Sequence, residues 1–283
     1  MNIMDRSKRR WIIALVAVIA FVSLTPVIVH FFTDTGTSPT ERAIEQKLSK
    51  ESESFKELQF DLIDPEEAPP ALKEAVMLGY HIMLNTSKYA PGYAGDKLSC
   101  TNCHFAGGNT TGGVGGSISL AGIAAVYPNY NKRSETVITL EQRINSCFER
   151  SMNGKALPLE SKEMIALVTY IHWISKNFPI YQPVPWRGLR ALHTNTVPNT
   201  PNGAHLWETR CSLCHGKDGE GKPGVPAVWG EHSFNDGAGM HDLATLASFI
   251  HANMPYEEPG LSEEDALDVA AFIRQKPRPH YVP

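Results

Sequence analysis

Cysteine is scarce in this 283-residue chain, with only five in all, and four of the five fall in two short pairs. That excludes the even, dispersed set of a disulfide-braced fold. An excess of positive charge is missing too: 26 Lys and Arg against 30 Asp and Glu leave a net charge of -4. No sustained basic surface is on offer, so nucleic acid is not an expected partner. Alternating strand patterns longer than a few residues are also absent, which predicts an all-α fold. The length suggests about two domains. The hydrophobic fraction of 42% lets each half bury a core.

The N-terminus bears on the compartment. Arg6, Lys8, Arg9 and Arg10 precede an apolar run from Trp11 to Phe32, long enough to cross a hydrocarbon core of about 30 Å. Positive charge ahead of the run predicts a transmembrane helix over 1–32, with the N-terminus in the cytoplasm and the rest on the periplasmic side of a bacterial inner membrane. The alternative is a cleaved signal that releases the chain to the periplasm. Thr33-Asp34-Thr35-Gly36 makes a poor cleavage site for it. Residues 33–65 read as a polar spacer and 66–177 as a first domain. Residues 178–201 read as a Pro-rich, semi-rigid linker, and 202–283 as a second domain.

The two domains form a weak repeat. Each opens with a glycine-bearing helix, Gly79 within Glu74–Leu84 and Gly203 within Gly203–Arg210. Each closes with an amphipathic one, marked by Ile165, Val168, Ile171 and Ile174 in the first and by Leu267, Ala270, Ala271 and Ile273 in the second. Ser262 with Asp265 resembles a capping box on the second closing helix. Between the helices lie Cys100-Thr101-Asn102-Cys103-His104 and Cys211-Ser212-Leu213-Cys214-His215. Two thiols three residues apart can form thioethers with the two vinyl groups of one haem, and the next histidine then meets the iron. A zinc site would want four Cys or His ligands from short knuckles, and a thioredoxin-like pair would want a βαβ context. The expectation is therefore two covalently bound haem c groups, attached through Cys100, Cys103, Cys211 and Cys214, with His104 and His215 on the irons. For the second iron's other ligand, Met254 in Asn253-Met254-Pro255 stands where small class I cytochromes place a methionine. Met240, His232, His241 and His251 are the competitors.

The fifth cysteine is the other distinctive feature. Thr139 with Gln142 looks like a capping box, and Leu140, Ile144 and Phe148 form an apolar stripe four apart. Arg143, Cys147 and Ser151 form the neighbouring stripe. Aligning the halves at an offset of 102 puts Thr245, Phe249 and Asn253 at those three places, so the second domain is chemically bland there. Residues 129–155 carry Lys132, Arg133, Arg143, Arg150 and Lys155 against Glu135, Glu141 and Glu149, a local excess of cations that favours a thiolate and an anionic substrate. An inert buried thiol is the alternative. Met152, which aligns with Met254, is the rival ligand for the first iron.

The run from Arg143 to Lys155 resembles the signature of the dihaem thiosulfate dehydrogenases, the tetrathionate-forming cytochromes, some of whose relatives run as tetrathionate reductases. The resemblance spans both haem domains, and Phe234-Asn235-Asp236-Gly237-Ala238-Gly239-Met240 shares in it. It implies two class I cytochrome c-like domains in tandem after the N-terminal helix, a catalytic haem in the first and an electron-transfer haem in the second. It implies that Cys147 is the distal ligand of the catalytic haem, that Arg133 and Arg143 face the substrate, and that Ser151 matches a serine of the family. The reaction implied joins two thiosulfates into tetrathionate, or the reverse, and exchanges electrons with an external cytochrome c or other redox partner. The alternative is a non-catalytic, membrane-anchored electron-transfer cytochrome. A dihaem peroxidase would need an acid–base constellation that the sequence does not display.

Overall fold

Proline opens the first helix, where its missing N–H costs nothing and its φ is already helical: Pro69 is the N-cap and Pro70 the first residue of α1 (Pro70–Leu84). The computed structural model describes residues 61–282 apart from 96, 111–117, 183 and 185. The N-terminal apolar run, and the spacer as far as residue 60, lie outside the described residues. Among the described residues no helix is long and apolar enough to cross a membrane.

Two helix pairs frame the two cores. In the first domain α1 crosses α3 (Lys162–Trp173), with α2 (Leu140–Ser146) packed below. In the second, α4 (Thr200–Leu206) crosses α6 (Glu263–Arg274), and α5 (Leu243–Asn253) packs on α6. The paired glycines explain the crossings. A Cβ at Gly79 would stand 2.2 Å from the Ala166 carbonyl oxygen, and one at Gly203 would stand 2.0 Å from that of Asp268. Only glycine lets these backbones approach so closely.

The predicted helices form with shifted edges. The second opening helix ends at Leu206 and continues as a π turn, Trp207–Cys211. On α3 the buried face is Met164, Leu167, Tyr170, Ile171 and Ile174, whereas Ile165 is 52% exposed and Val168 only partly buried. A stripe of β-branched residues three apart drifts off the buried face, and the bulkier Met164, Leu167 and Tyr170 define it instead. On α6 the buried apolar residues are Ala266, Val269, Ala270 and Ile273, with Leu267 and Ala271 at the margin. Ser262 caps α6 by accepting from the Asp265 N–H at 3.0 Å. Thr139 and Gln142 form the reciprocal capping box on α2.

Two departures from the expected layout affect the site. A short antiparallel hairpin, β1 (Asn129–Asn131) with β2 (Thr136–Ile138), interrupts the helical pattern, with Tyr130 opposite Val137. The linker segment is partly folded onto the first domain. Val184 and Trp186 are buried, and the Trp186 indole N–H donates to the Ala121 carbonyl at 2.8 Å. Trp186 also meets Phe178 edge-on. Residues 61–283 form one compact unit.

Candidate active site

Arg133 owes its place to the hairpin. The Asn131 side-chain oxygen accepts from the N–H groups of Arg133 and Ser134, at 2.9 and 3.2 Å, the local turn that asparagine favours. This puts Arg133 at the tip, where its Nη1 donates to the Gly237 carbonyl of the second domain at 2.9 Å.

α2 presents the other predicted residues. Leu140, Ile144 and Phe148 are buried as one stripe, so the adjacent stripe is turned away from that core. There Arg143 Nη1 lies 2.8 Å from Cys147 Sγ. Cys147 is the main influence raising the guanidinium above its ordinary value, and Tyr127 adds to it. Arg143 keeps accessible surface, and desolvation by neighbouring protein atoms offsets part of that rise. The helix then changes pitch. Residues 147–151 form a π turn, with the Met152 N–H donating to the Cys147 carbonyl at 2.9 Å. An i→i+5 turn breaks the spacing of four on which the Cys147–Ser151 pairing rested. Ser151 ends the turn, and among the described residues no hydrogen bond joins its hydroxyl to Cys147, Arg143 or Arg133. Met152 is 3% exposed and belongs to the first core.

The first Cys-x-x-Cys-His motif lies near this face of α2. Cys147 lies within electrostatic reach of Cys100 and Cys103, and Arg143 within reach of His104. The residues present fit a covalent haem. None of the four motif cysteines is tied up in a disulfide, so each is available for a thioether bond. His104 Nδ1 pairs with the Ile118 carbonyl at 2.9 Å, and His215 Nδ1 with the Pro226 carbonyl at 3.1 Å. Each bond fixes the ring so that Nε2 is left for a metal. Burial lowers the pKa of both imidazoles, which keeps them in the neutral form that a ligand needs.

In the second domain Met254 caps α5 and packs on the core that contains Trp207, whose ring lies 5.9 Å from that of His215. Met240 also packs there, but it belongs to the turn Gly239–His241, which touches the π turn of the first domain. Phe249, at the place that aligns with Cys147, is buried and faces Phe105 at 6.3 Å. Asn235 and Tyr281 also bear on the site, and periodicity gives no sign of them. Asn235 Nδ2 donates to the Glu149 carbonyl at 2.8 Å, and its N–H to the Arg150 carbonyl at 3.2 Å. The only sequence signal was the resemblance that residues 234–240 share.

Comparison with known proteins gives a match for each domain. The family model for the SoxA/TsdA cytochrome c domain matches residues 91–180, and that for cbb3-type cytochrome c oxidase subunit III matches residues 198–273. The thiosulfate dehydrogenase of Psychrobacter arcticus is 41% identical over 212 residues, 72% of this chain and 64% of that protein. That of Thiomonas intermedia is 41% identical, covering 76% and 70%, and that of Allochromatium vinosum is 37% identical, covering 74% and 80%. The solved thiosulfate dehydrogenase TsdBA of Marichromatium purpuratum in its as-isolated form superposes with a TM-score of 0.71 at 31% identity, over 77% of this chain and 49% of that one. The chain thus spans less than two thirds of the Psychrobacter protein and about half of the solved one.

Proposed function

Since the chain belongs to the dihaem cytochrome c thiosulfate dehydrogenase family and carries two covalently bound haem c groups, we propose that it interconverts two thiosulfates and tetrathionate at Cys147. The observation that carries this reading is the 2.8 Å contact between Arg143 Nη1 and Cys147 Sγ, near Cys100, Cys103 and His104.

Charge sets the first requirement. Two dianions about 4 Å apart repel by about 4 kcal/mol even in water. Arg133 and Arg143 offset this through charge-assisted hydrogen bonds to sulfonate oxygens. Cys147 is the nucleophilic sulfur. Its thiolate and the outer sulfur of one thiosulfate form a sulfur–sulfur bond with loss of two electrons, which leaves Cys147 carrying an –S–SO3⁻ group. The outer sulfur of the second thiosulfate attacks that group. Tetrathionate departs, and the Cys147 thiolate is restored with its charge opposite Arg143. Two haems, each able to hold one electron, supply the acceptor for the pair of electrons. The same residues serve the reverse reaction. His104 and Cys147 would hold the iron of the first haem and His215 and Met254 that of the second, while Ser151 belongs to the site only by its place in the family motif.

The second domain is the exit toward an external cytochrome c or other redox partner. The basic flank and the apolar run over residues 6–32 support an anchor that holds the chain on the periplasmic side of the membrane.

The test is Cys147→Gly assayed with thiosulfate and a ferricyanide-type acceptor. Both haems stay attached, the thiolate-type low-spin signal disappears from the ferric spectrum, and turnover falls nearly to zero. The second haem still exchanges electrons with an artificial donor. Near-normal turnover with an unchanged spectrum would move the ligand to Met152 and end the catalytic assignment.

A further inference from the structure

The reaction above leaves one guanidinium of the Cys147 turn without a role. Arg150 follows the cysteine by three residues and is gripped by the second domain. Its own carbonyl and that of Glu149 both accept from Asn235, whose Nδ2 also reaches Asn153 Oδ1 at 3.2 Å. The Arg150 guanidinium lies over the Tyr281 ring, 4.3 Å from its centre, and its Nε is buried without a hydrogen-bond partner.

Tyr281 is itself held. Its N–H donates to Asp236 Oδ1 at 2.7 Å, His280 Nδ1 meets Asp236 Oδ2 at 2.7 Å, and the Asp236 N–H donates to the Pro279 carbonyl at 3.0 Å. Gly237 makes room for it, since a Cβ there would stand 2.7 Å from the Tyr281 Cβ. The Gly237 carbonyl is the acceptor for Arg133. Residues 235–237 therefore set two guanidiniums at once, directly for Arg133 and through Tyr281 for Arg150.

Arg133 lies within electrostatic reach of both Arg150 and Arg143. Among the described residues none of the three forms a salt bridge with a carboxylate. Three guanidiniums gathered with no carboxylate partner among the described residues form a site for an anion. Two thiosulfates bring four negative charges, and Arg133 with Arg143 answer only two of them.

We propose that Arg150 is a third anion-binding side chain of the Cys147 site, serving the second of two bound thiosulfates, with Tyr281 as its positioning residue. This rests on the function proposed above. A planar cation on an aromatic face keeps its orientation while its edge stays free to donate to a sulfonate.

The experiment compares Arg150→Gln, Arg150→Lys, Tyr281→Phe and Tyr281→Leu with the wild type, all as full-length, haem-loaded protein. Thiosulfate kinetics and calorimetric titration with tetrathionate are measured alongside haem content and both haem potentials. Arg150→Gln raises the thiosulfate KM and the tetrathionate Kd about tenfold, with kcat changed less than threefold and haem content and potentials unchanged. Arg150→Lys recovers part of the loss. Tyr281→Phe keeps the ring and stays within twofold of wild type, whereas Tyr281→Leu shifts KM in the direction of Arg150→Gln. Wild-type KM and Kd in Arg150→Gln, with the wild-type chain active, would overturn the role of Arg150 and leave the proposed function standing. If Arg150→Gln fails to fold, the Tyr281 pair decides, and equal behaviour of Phe and Leu overturns the proposal. A wild-type chain that neither turns over thiosulfate nor binds tetrathionate overturns both readings.

Discussion

Arg143 and Cys147 were legible from spacing alone, because a capped α-helix puts residues four apart on one face, and the structure brings their polar atoms to 2.8 Å. A hydrogen bond to a charged partner contributes about 1.5–3 kcal/mol, so Arg143→Ala is expected to lower kcat/KM for thiosulfate roughly 10- to 100-fold at normal haem content. Arg143→Lys should recover only part of that, since a point charge cannot reproduce the planar fork. Steady-state kinetics beside a haem-content assay check both. Ser151 fell outside the reach of the same argument because the helix becomes a π turn at Cys147, and nothing in residues 147–151 announces a change of hydrogen-bond register. Asn235 and Tyr281 were illegible for another reason: their contacts with Glu149, Arg150 and Asn153 join parts of the chain that no periodicity relates. For the second haem, both candidate methionines pack on the second core, and position separates them. Met254 ends α5, while Met240 lies in a turn against the first domain. Met254→Gly is therefore expected to lower the second haem's reduction potential, because a thioether ligand raises it, with little change at the first haem. A redox titration that shows the drop in Met240→Gly instead would transfer the role.

At the scale of elements, the internal repeat proved more informative than the exact helix bounds. One glycine in each opening helix, noticed as a coincidence of sequence, marks each helix crossing: Gly79 against Ala166 and Tyr170, Gly203 against Asp268. This reverses the sign that helix propensity alone would give. On an exposed helix Gly→Ala is favourable by about 1 kcal/mol. Here the added methyl would stand 2.2 Å from a backbone oxygen at Gly79, and overpacking costs about 1–3 kcal/mol. Gly79→Ala and Gly203→Ala are each expected to lower Tm by several degrees. Thermal unfolding followed by far-UV circular dichroism on the haem-loaded protein would show it, and a rise in Tm would mean that the helices slide apart at no cost. The hairpin over 129–138 escaped the helical reading because each strand is three residues long, too short for alternation to register. Asn131, the residue whose side chain shapes its turn, is only one polar residue among several there.

Across the whole molecule, the two domains joined by the Pro-rich linker dock on each other. Asn235 on Glu149 and Arg150, Gly237 on Arg133, and Phe105 on Phe249 and Tyr256 all cross the boundary. The segment from Pro277 to Tyr281 stitches this loop in place: the Pro277 carbonyl accepts from the Gly230 N–H at 2.7 Å, and Asp236 takes both the Tyr281 N–H and His280. The Asp236 carboxyl is held below its ordinary value, first by the Tyr281 N–H and then by His280. A carboxyl depressed in the folded state contributes stability that is complete above its unfolded pKa of about 4 and is lost as the pH falls through the folded value below that. The strap should therefore hold at neutral pH and loosen only in acid, below about pH 4. Hydrogen exchange of residues 277–282, corrected for the intrinsic pH dependence of exchange, is expected to show protection of the Tyr281 amide that is level from pH 7 to about 5 and declines below about 4. In Asp236→Asn, where no charge can be lost, that protection should be weaker at neutral pH and nearly flat with pH. A wild-type profile as flat as that of Asp236→Asn would mean that the carboxylate does not hold the strap, and that packing of Tyr281 against Gly237 and Arg150 does so alone.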